Sequence, residues 1–328
     1  MTAPAFNNSF EYAELLRRLV SEDPSERRVA LLEAADLGDE ALLPALAQRL
    51  RSDPEAALRA EAARALAGWD DADVVEALAQ ALTDEAAVRE AAAQALAELR
   101  DPATAAGLVQ HAWHADAFTC AAALRGLREL RLDTAAAPAL AALQRPEGPV
   151  RREAIGVLGW LRHALALPLL ARTAVEDADA EVRRAATGAL GLAGPDELAV
   201  VLPALLAALN DATWPVREEA ATTLGKLRPE DPAAIRALCA SMEDDYWQVR
   251  LRAARALGRL RSRDALPVLT EALAHPAGNL RKEAAIALGE IGDARAAVAL
   301  HVAEADPDPE VRKAARLALT RLAPLAGA

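Results

Sequence analysis

The twelve residues Val249–Leu260 read V-R-L-R-A-A-R-A-L-G-R-L. With Arg250 as position zero, positions −1, +3, +7 and +10 are Val249, Ala253, Leu257 and Leu260. Steps of three and four place them on one face of a helix. Alanines at +3 and +4 and the glycine at +8, Gly258, leave no long side chain in the way of a neighbouring helix. Nearly the same line returns at Val182, Val216, Leu280 and Val311. Position zero runs through Arg27, Arg59, Arg89, Cys120, Arg151, Arg183, Arg217, Arg250, Arg281 and Arg312, at spacings of 30 to 34 residues. Self-similarity at such a period is the mark of a solenoid, whose units bury their apolar faces only against one another. Between consecutive copies lies a second apolar segment, often carrying a proline: Pro44, Pro138, Pro168, Pro203 and Pro267. Each of the ten units therefore reads as an antiparallel pair, helix A followed by helix B.

An aspartate stands six residues before position zero in several units: Asp53, Asp177, Asp211, Asp244 and Asp306. Together with the proline of helix A, this pattern resembles the HEAT repeat. The compact A-A-x-A-L-G form is similar to the subtype known from phycobilisome lyases. The resemblance spans about residues 9–323 and implies an all-α fold: an α-solenoid, a right-handed superhelix of about ten two-helix repeats. It divides the chain into a loose tail (1–8), an N-terminal capping repeat (9–38), central repeats (39–292) and a C-terminal capping repeat (293–323). It also implies a ladder in which the aspartate and arginine of adjoining repeats pair. Cys120 replaces the arginine in unit four, so a rung is expected to be missing there. Glycine at +8 occurs in units five to nine, at Gly159, Gly191, Gly225, Gly258 and Gly289.

Composition agrees with such a chain. Aromatic residues make up 3% of its 328 residues and hydrophobic residues 53%. The net charge of −12 is uneven: residues 1–100 hold 20 acids and 10 bases, whereas residues 251–300 hold 5 acids and 8 bases. A general nucleic-acid binder needs clustered cations for phosphates, so nucleic acid is not expected as a partner. The two cysteines, Cys120 and Cys239, lie too far apart to pair in an array of local contacts, which points to a reducing compartment. The N-terminal residues show no secretory pattern. The longest apolar run, Leu198 to Leu209, is too short to span a bilayer, so no membrane partner is expected and the protein reads as cytoplasmic.

Several local features carry structural rather than chemical weight. Asp23-Pro24, Asp53-Pro54, Asp101-Pro102 and Asp308-Pro309 are helix-start signals. Ser9 is a candidate cap, and Phe6, Phe10 and Tyr12 are expected to close the end of the core, with Phe10, Leu15, Leu16 and Leu19 facing the first B helix. Exposed acids of units one to three, such as Glu61, Asp70 and Glu90, read as a solvated face, with docking to a basic partner as the alternative. Unit four is the deviant: His111, Trp113, His114, Asp116, Phe118 and Cys120 crowd into ten residues. They could offer N, O and S metal ligands, but a repacked core with Trp113 in a leucine slot is the favoured reading, so no metal is expected. His163, His275 and His301 stand alone. No catalytic triad, phosphate loop or His-Glu dyad is present, which argues against an enzyme such as a HEAT-like hydroxylase, and no cofactor is expected.

Candidate function lies on helix B. In an A/B solenoid the B helices line the concave side, and positions −3, +1, +2, +5 and +9 point away from the core. This column is acidic early, with Glu90 and Glu98, and from unit five onward it mixes arginines with large apolar residues. The candidate partner-binding residues are Trp160, Arg184, Leu192, Trp214, Trp247, Leu251, Arg252, Arg255, Arg259 and Ile286. Exposed tryptophan beside arginine is the composition of interface hot spots. The expected function is a non-catalytic scaffold, adaptor or assembly chaperone that holds a partner protein in this groove. The alternative implied by the resemblance is a phycobilisome-lyase-like protein that handles a tetrapyrrole.

Overall fold

The structure, a computed structural model, describes residues 9–162 and 166–322, and among these residues it is all α-helical, with no strand. It forms two compact units, Met1–Leu161 and Arg162–Ala328. In the first, helices A and B alternate as α1 (Ser9–Leu19), α2 (Pro24–Leu37), α3 (Leu43–Ser52), α4 (Ala56–Ala65), α5 (Ala72–Ala81), α6 (Ala86–Leu96), α7 (Leu108–His111), α8 (Ala117–Leu127), α9 (Ala136–Ala142) and α10 (Gly148–Leu161). The second holds α11 (Leu167–Glu176), α12 (Ala180–Ala189), α13 (Leu198–Ala208), α14 (Trp214–Leu227), α15 (Pro232–Ala240), α16 (Trp247–Leu260), α17 (Leu266–Ala272), α18 (Gly278–Ile291), α19 (Ala297–Ala303) and α20 (Pro309–Leu322). Within each unit a B helix packs on its own A helix and on the B helix of the next repeat. This is the α-solenoid arrangement that the period demands. The tail at 1–8, with Phe6, and His163 lie outside the described residues.

The stripe read from Val249–Leu260 is the core. Val249, Ala253, Ala254, Leu257 and Gly258 of α16 are buried, and the equivalent Leu280, Ala284, Ala285, Leu288 and Gly289 of α18 repeat it. The glycines at +8 permit the closest approaches. A Cβ on Gly225, Gly258 or Gly289 would stand 2.7–2.9 Å from Cα of Ala256, Ala287 or Ala318 at +6 of the next repeat. Thus α14, α16, α18 and α20 meet backbone to backbone. In six repeats a left-handed residue stands at +11, after helix B. This is Gly38 after α2 and Gly292 after α18, but Arg131, Arg162, Arg228 and Arg261 after α8, α10, α14 and α16.

Position zero builds the ladder. Arg27 donates from Nε and Nη2 to both carboxylate oxygens of Asp53 at 2.8 and 3.0 Å, and from Nη1 to the carbonyls of Ser21 and Glu22. One guanidinium therefore ties helix B to its own A–B turn and to the next turn along. The same double grip joins Arg183 to Asp211, Arg217 to Asp244 and Arg281 to Asp306. Arg59 takes Asp84, which stands five rather than six residues before its position zero. The Asp53 side chain is fully buried, so its charge depends on Arg27.

The first unit breaks the pattern twice. Position −6 of unit four is His114, so Arg89 has no rung aspartate there, and its guanidinium lies 4.0 Å over the Phe118 ring. At unit four, Arg145 reaches back from the −6 position of unit five and donates to the carbonyls of His114 and Ala115 at 3.1 and 2.7 Å. Those are the two carbonyls that an arginine at position 120 would have held. Glu147 is its counterion at 3.1 Å. The expected missing rung is therefore a swapped one, with the guanidinium supplied from the opposite side.

Other expectations change as well. Trp113 follows the four-residue α7 and is 53% exposed, not in a leucine slot, because the helix ends before it. Phe10 is 75% exposed, while Leu15 and Leu19 are buried and the Tyr12 hydroxyl donates to the carbonyl of Ala41. The Asp53 carboxylate serves the ladder and the amide of Glu55, and Glu55 is the N-cap of α4. Asp23 does cap α2, through the Ser25 amide.

Candidate partner-binding face

The register puts the predicted residues on or beside the B helices, but they do not form one set. Trp160, 41% exposed, belongs to α10 in the first unit, where Arg131 lies 5.3 Å from its ring. The others belong to the second unit. Arg184 on α12 is exposed and engaged with Glu181 at 2.9 Å, and Leu192 lies half-buried in the turn after α12. Trp214 opens α14 and stacks on Tyr246, with centroids 5.5 Å apart, and Tyr246 in turn lies 5.7 Å from the Arg217 guanidinium. Position −3 is the first residue of these helices, so its indole lies at the A–B turn beside the ladder. Trp247, 40% exposed, opens α16 in the same way.

Two of the predicted arginines are held in ion pairs between B helices. Arg255 on α16 donates to both oxygens of Glu283 on α18 at 2.9 and 2.7 Å. Arg252 donates to Glu218 on α14 at 2.9 Å. Arg125 and Glu153 make the same +5 to +2 pair between α8 and α10. Glu153 and Glu283 are each 5% exposed, because a neighbouring arginine covers the carboxylate. These pairs fix B-helix spacing. Leu251 and Ile286 are half-buried and Arg259 is exposed.

A cluster of cations without an ion pair among the described residues lies one repeat further on. A cleft of about 310 Å³ opens between α18 and α20, lined by Lys282, Ile286, Glu310, Lys313, Ala314, Leu317, Ala318 and Arg321. Ile286, Leu317 and the two alanines form an apolar floor, and Leu317 is 56% exposed. Lys282, Lys313 and Arg321 surround it with a single acid, Glu310, and none of the three cations is in an ion pair among the described residues. Of the predicted residues only Ile286 lines this cleft. Lys313, Leu317 and Arg321 were missed, although they occupy +1, +5 and +9 of unit ten, the same outward column.

The unit-four cluster is consumed internally. Asp116 caps α8 through the Thr119 amide and hydroxyl, both at 2.9 Å. His114 Nδ1 accepts from the Asp116 amide, and the Cys120 thiol donates to the carbonyl of Ala112 at 3.1 Å. Burial lowers the pKa of His111 and raises that of Cys120. Among the described residues no three His, Cys, Asp or Glu side chains group as metal ligands. No helix among them is long and apolar enough to cross a membrane.

The HEAT-repeat family pattern matches residues 43–128, 119–191, 172–248 and 235–320. The chain belongs to the HEAT-repeat family. Its fold is similar to that of an engineered protein, at 22% identity and a TM-score of 0.55, over 94% of this chain and 98% of that one. It is also similar to YibA of Escherichia coli, at 18% identity and a TM-score of 0.59, over 75% of this chain and 90% of that one. A third similar fold is that of Kap95p in a structure concerned with RanGDP, at 16% identity and a TM-score of 0.57, covering 96% of this chain and 55% of Kap95p. No protein of curated function matches the sequence.

Proposed function

We propose that this HEAT-repeat chain is a non-catalytic scaffold that holds an acidic, partly apolar segment of a partner protein against the B helices of its second unit. The observation that carries this reading is the cleft between α18 and α20. Three cations unpaired among the described residues surround an apolar floor on which Leu317 is exposed, in a chain whose net charge is −12. In water alone such an arrangement has no compensating contact, whereas an acidic amphipathic segment would satisfy both parts. Leu251, Arg259 and Trp247 on α16 extend the contact surface toward the size of a stable interface, roughly 800 Å² per partner. Kap95p, a HEAT-like fold, engages Ran and Nup1, and the same use of a repeat surface is inferred here. An adaptor or assembly chaperone is the role that fits a surface without reactive groups.

Tetrapyrrole handling, as in phycobilisome lyases, is the second reading. Apolar floor and cations would suit a ring system with propionates, but a cleft of about 310 Å³ would hold only part of one. Affinity capture from the source cells separates these ideas. The variant Lys313→Glu/Leu317→Asp is expected to keep the wild-type helical spectrum and lose the captured protein, with no visible absorbance band in either preparation. Capture by the variant at the wild-type level would remove the cleft from the reading. A bilin band that the variant loses would favour the second.

A further inference from the structure

In the second unit the ladder is open at one junction. Position −6 of unit nine is His275 where an aspartate would meet Arg250. Arg250 Nε is buried without a hydrogen-bond partner, and among the described residues its side chain makes neither an ion pair nor the bonds to its own turn that Arg217 and Arg281 make. In place of the carboxylate is a cavity of about 240 Å³ lined by Arg250 and His275 with Met242, Val268, Ala272 and Leu280. We propose that this cavity binds a monocarboxylate carried on a small aliphatic body, with Arg250 as its receptor.

The other rungs show what a guanidinium at position zero takes. Arg27, Arg59, Arg183, Arg217 and Arg281 each hold both oxygens of one carboxylate at 2.6–3.0 Å. A ligand carboxylate in the cavity completes the same fork-to-fork pair. The apolar side chains around it accept a branched alkyl group. Glu243 and Glu271 also line the cavity, so a second negative charge is disfavoured and a phosphate dianion is a poor occupant. His275 supplies a further donor. Its Nδ1 accepts from the Ala277 amide at 3.0 Å, which leaves the proton of the neutral ring on Nε2. Burial, and then Arg250 and Arg281, lower the His275 pKa and keep the ring neutral at pH 7.

The carboxylate could come from a free short-chain acid or from the C-terminal residue of a polypeptide. Isovalerate and an N-acetylated dipeptide ending in leucine are the probes, with the C-terminal amide of that dipeptide as control. Nitrogen-15 spectra of the full chain should show the Arg250 Nε–H and His275 signals moving on titration with isovalerate, and no movement with the amide. Movement with the free-acid dipeptide as well assigns the site to chain termini; movement with isovalerate alone assigns it to free acids. Arg250→Gln should remove the response. His275→Asp rebuilds a rung found elsewhere in the chain, so it should fold, raise protection of α18 amides and weaken isovalerate by at least about tenfold. Absence of any shift with both carboxylates, or equal binding by wild type and His275→Asp, would overturn the assignment.

Discussion

Unit four and unit nine both depart from the regular Asp–Arg rung, and the chain answers the two losses differently. At unit four the arginine is gone, and Arg145 brings a guanidinium back from the next repeat to the same two carbonyls. At unit nine the aspartate is gone, and nothing among the described residues replaces it, so Arg250 faces a cavity. The difference follows from what each loss leaves behind. Without a guanidinium, backbone carbonyls at a turn stay unpaired, and a buried unpaired acceptor costs about 1–3 kcal/mol. Without a carboxylate, the arginine keeps part of its head in water, so the cost is smaller and the gap can persist.

The largest test of this contrast compares Arg145→Ala with Arg250→Ala. The first removes two charge-assisted bonds to carbonyls and should destabilise unit four by about 2 kcal/mol, read as lost hydrogen-exchange protection in α8 and α9. The second removes a side chain without partners and should change protection in α16 by less than about 0.5 kcal/mol. Equal losses would mean that the swapped rung is no repair. Local exchange is the proper measure because repeats open individually.

A smaller effect concerns the helix ends that flank these junctions. Arg228 and Arg261 adopt φ of 51° and 52°, where a Cβ crowds the backbone, whereas Gly292 fills the equivalent place after α18. Arg228→Gly and Arg261→Gly should each stabilise by up to about 1 kcal/mol, measured as a raised denaturation midpoint. Neither side chain lines the clefts described above, so binding should be unaffected.

The repeat period made the helix pairs, the core stripe and the close contacts of Gly225, Gly258 and Gly289 legible, because a helix fixes the direction of every Cβ. It did not fix where long side chains end. Arg145 lies outside position zero, and only its reach makes it a ladder residue. Asp84 is displaced by one residue from the register of the other aspartates. Arg252 and Arg255 do point outward, but glutamates in the neighbouring columns, Glu218 and Glu283, bind them. Lys313, Leu317 and Arg321 sit in a terminal repeat, which the sequence pattern marks only as a cap. They nonetheless continue the outward column at +1, +5 and +9.

Acid titration gives the finest comparison, since the intact and open junctions carry groups that titrate in different ranges. At the junction of α12 and α14, burial opposes ionisation of Asp211, but the bonds from Arg183 and Thr213 outweigh it and hold the carboxyl down at about 2. A carboxyl depressed in the folded state contributes stability above its unfolded value, near 3.8, and that contribution fades as pH falls toward 2. His275 at the open junction behaves differently. Burial, Arg250 and Arg281 lower its pKa below 6.5, so the unfolded chain binds a proton before the folded one does. Its contribution is complete above pH 6.5 and begins to fade just below it. Exchange protection, corrected for intrinsic rates, should therefore decline first in α18 as pH falls below 6.5, while α14 stays level until the pH approaches 3.8. His275→Asp should remove the early decline and give α18 the acid response of α14. If α18 and α14 lose protection together in wild type, the two junctions are not electrostatically distinct, and the open rung has no separate energetic meaning.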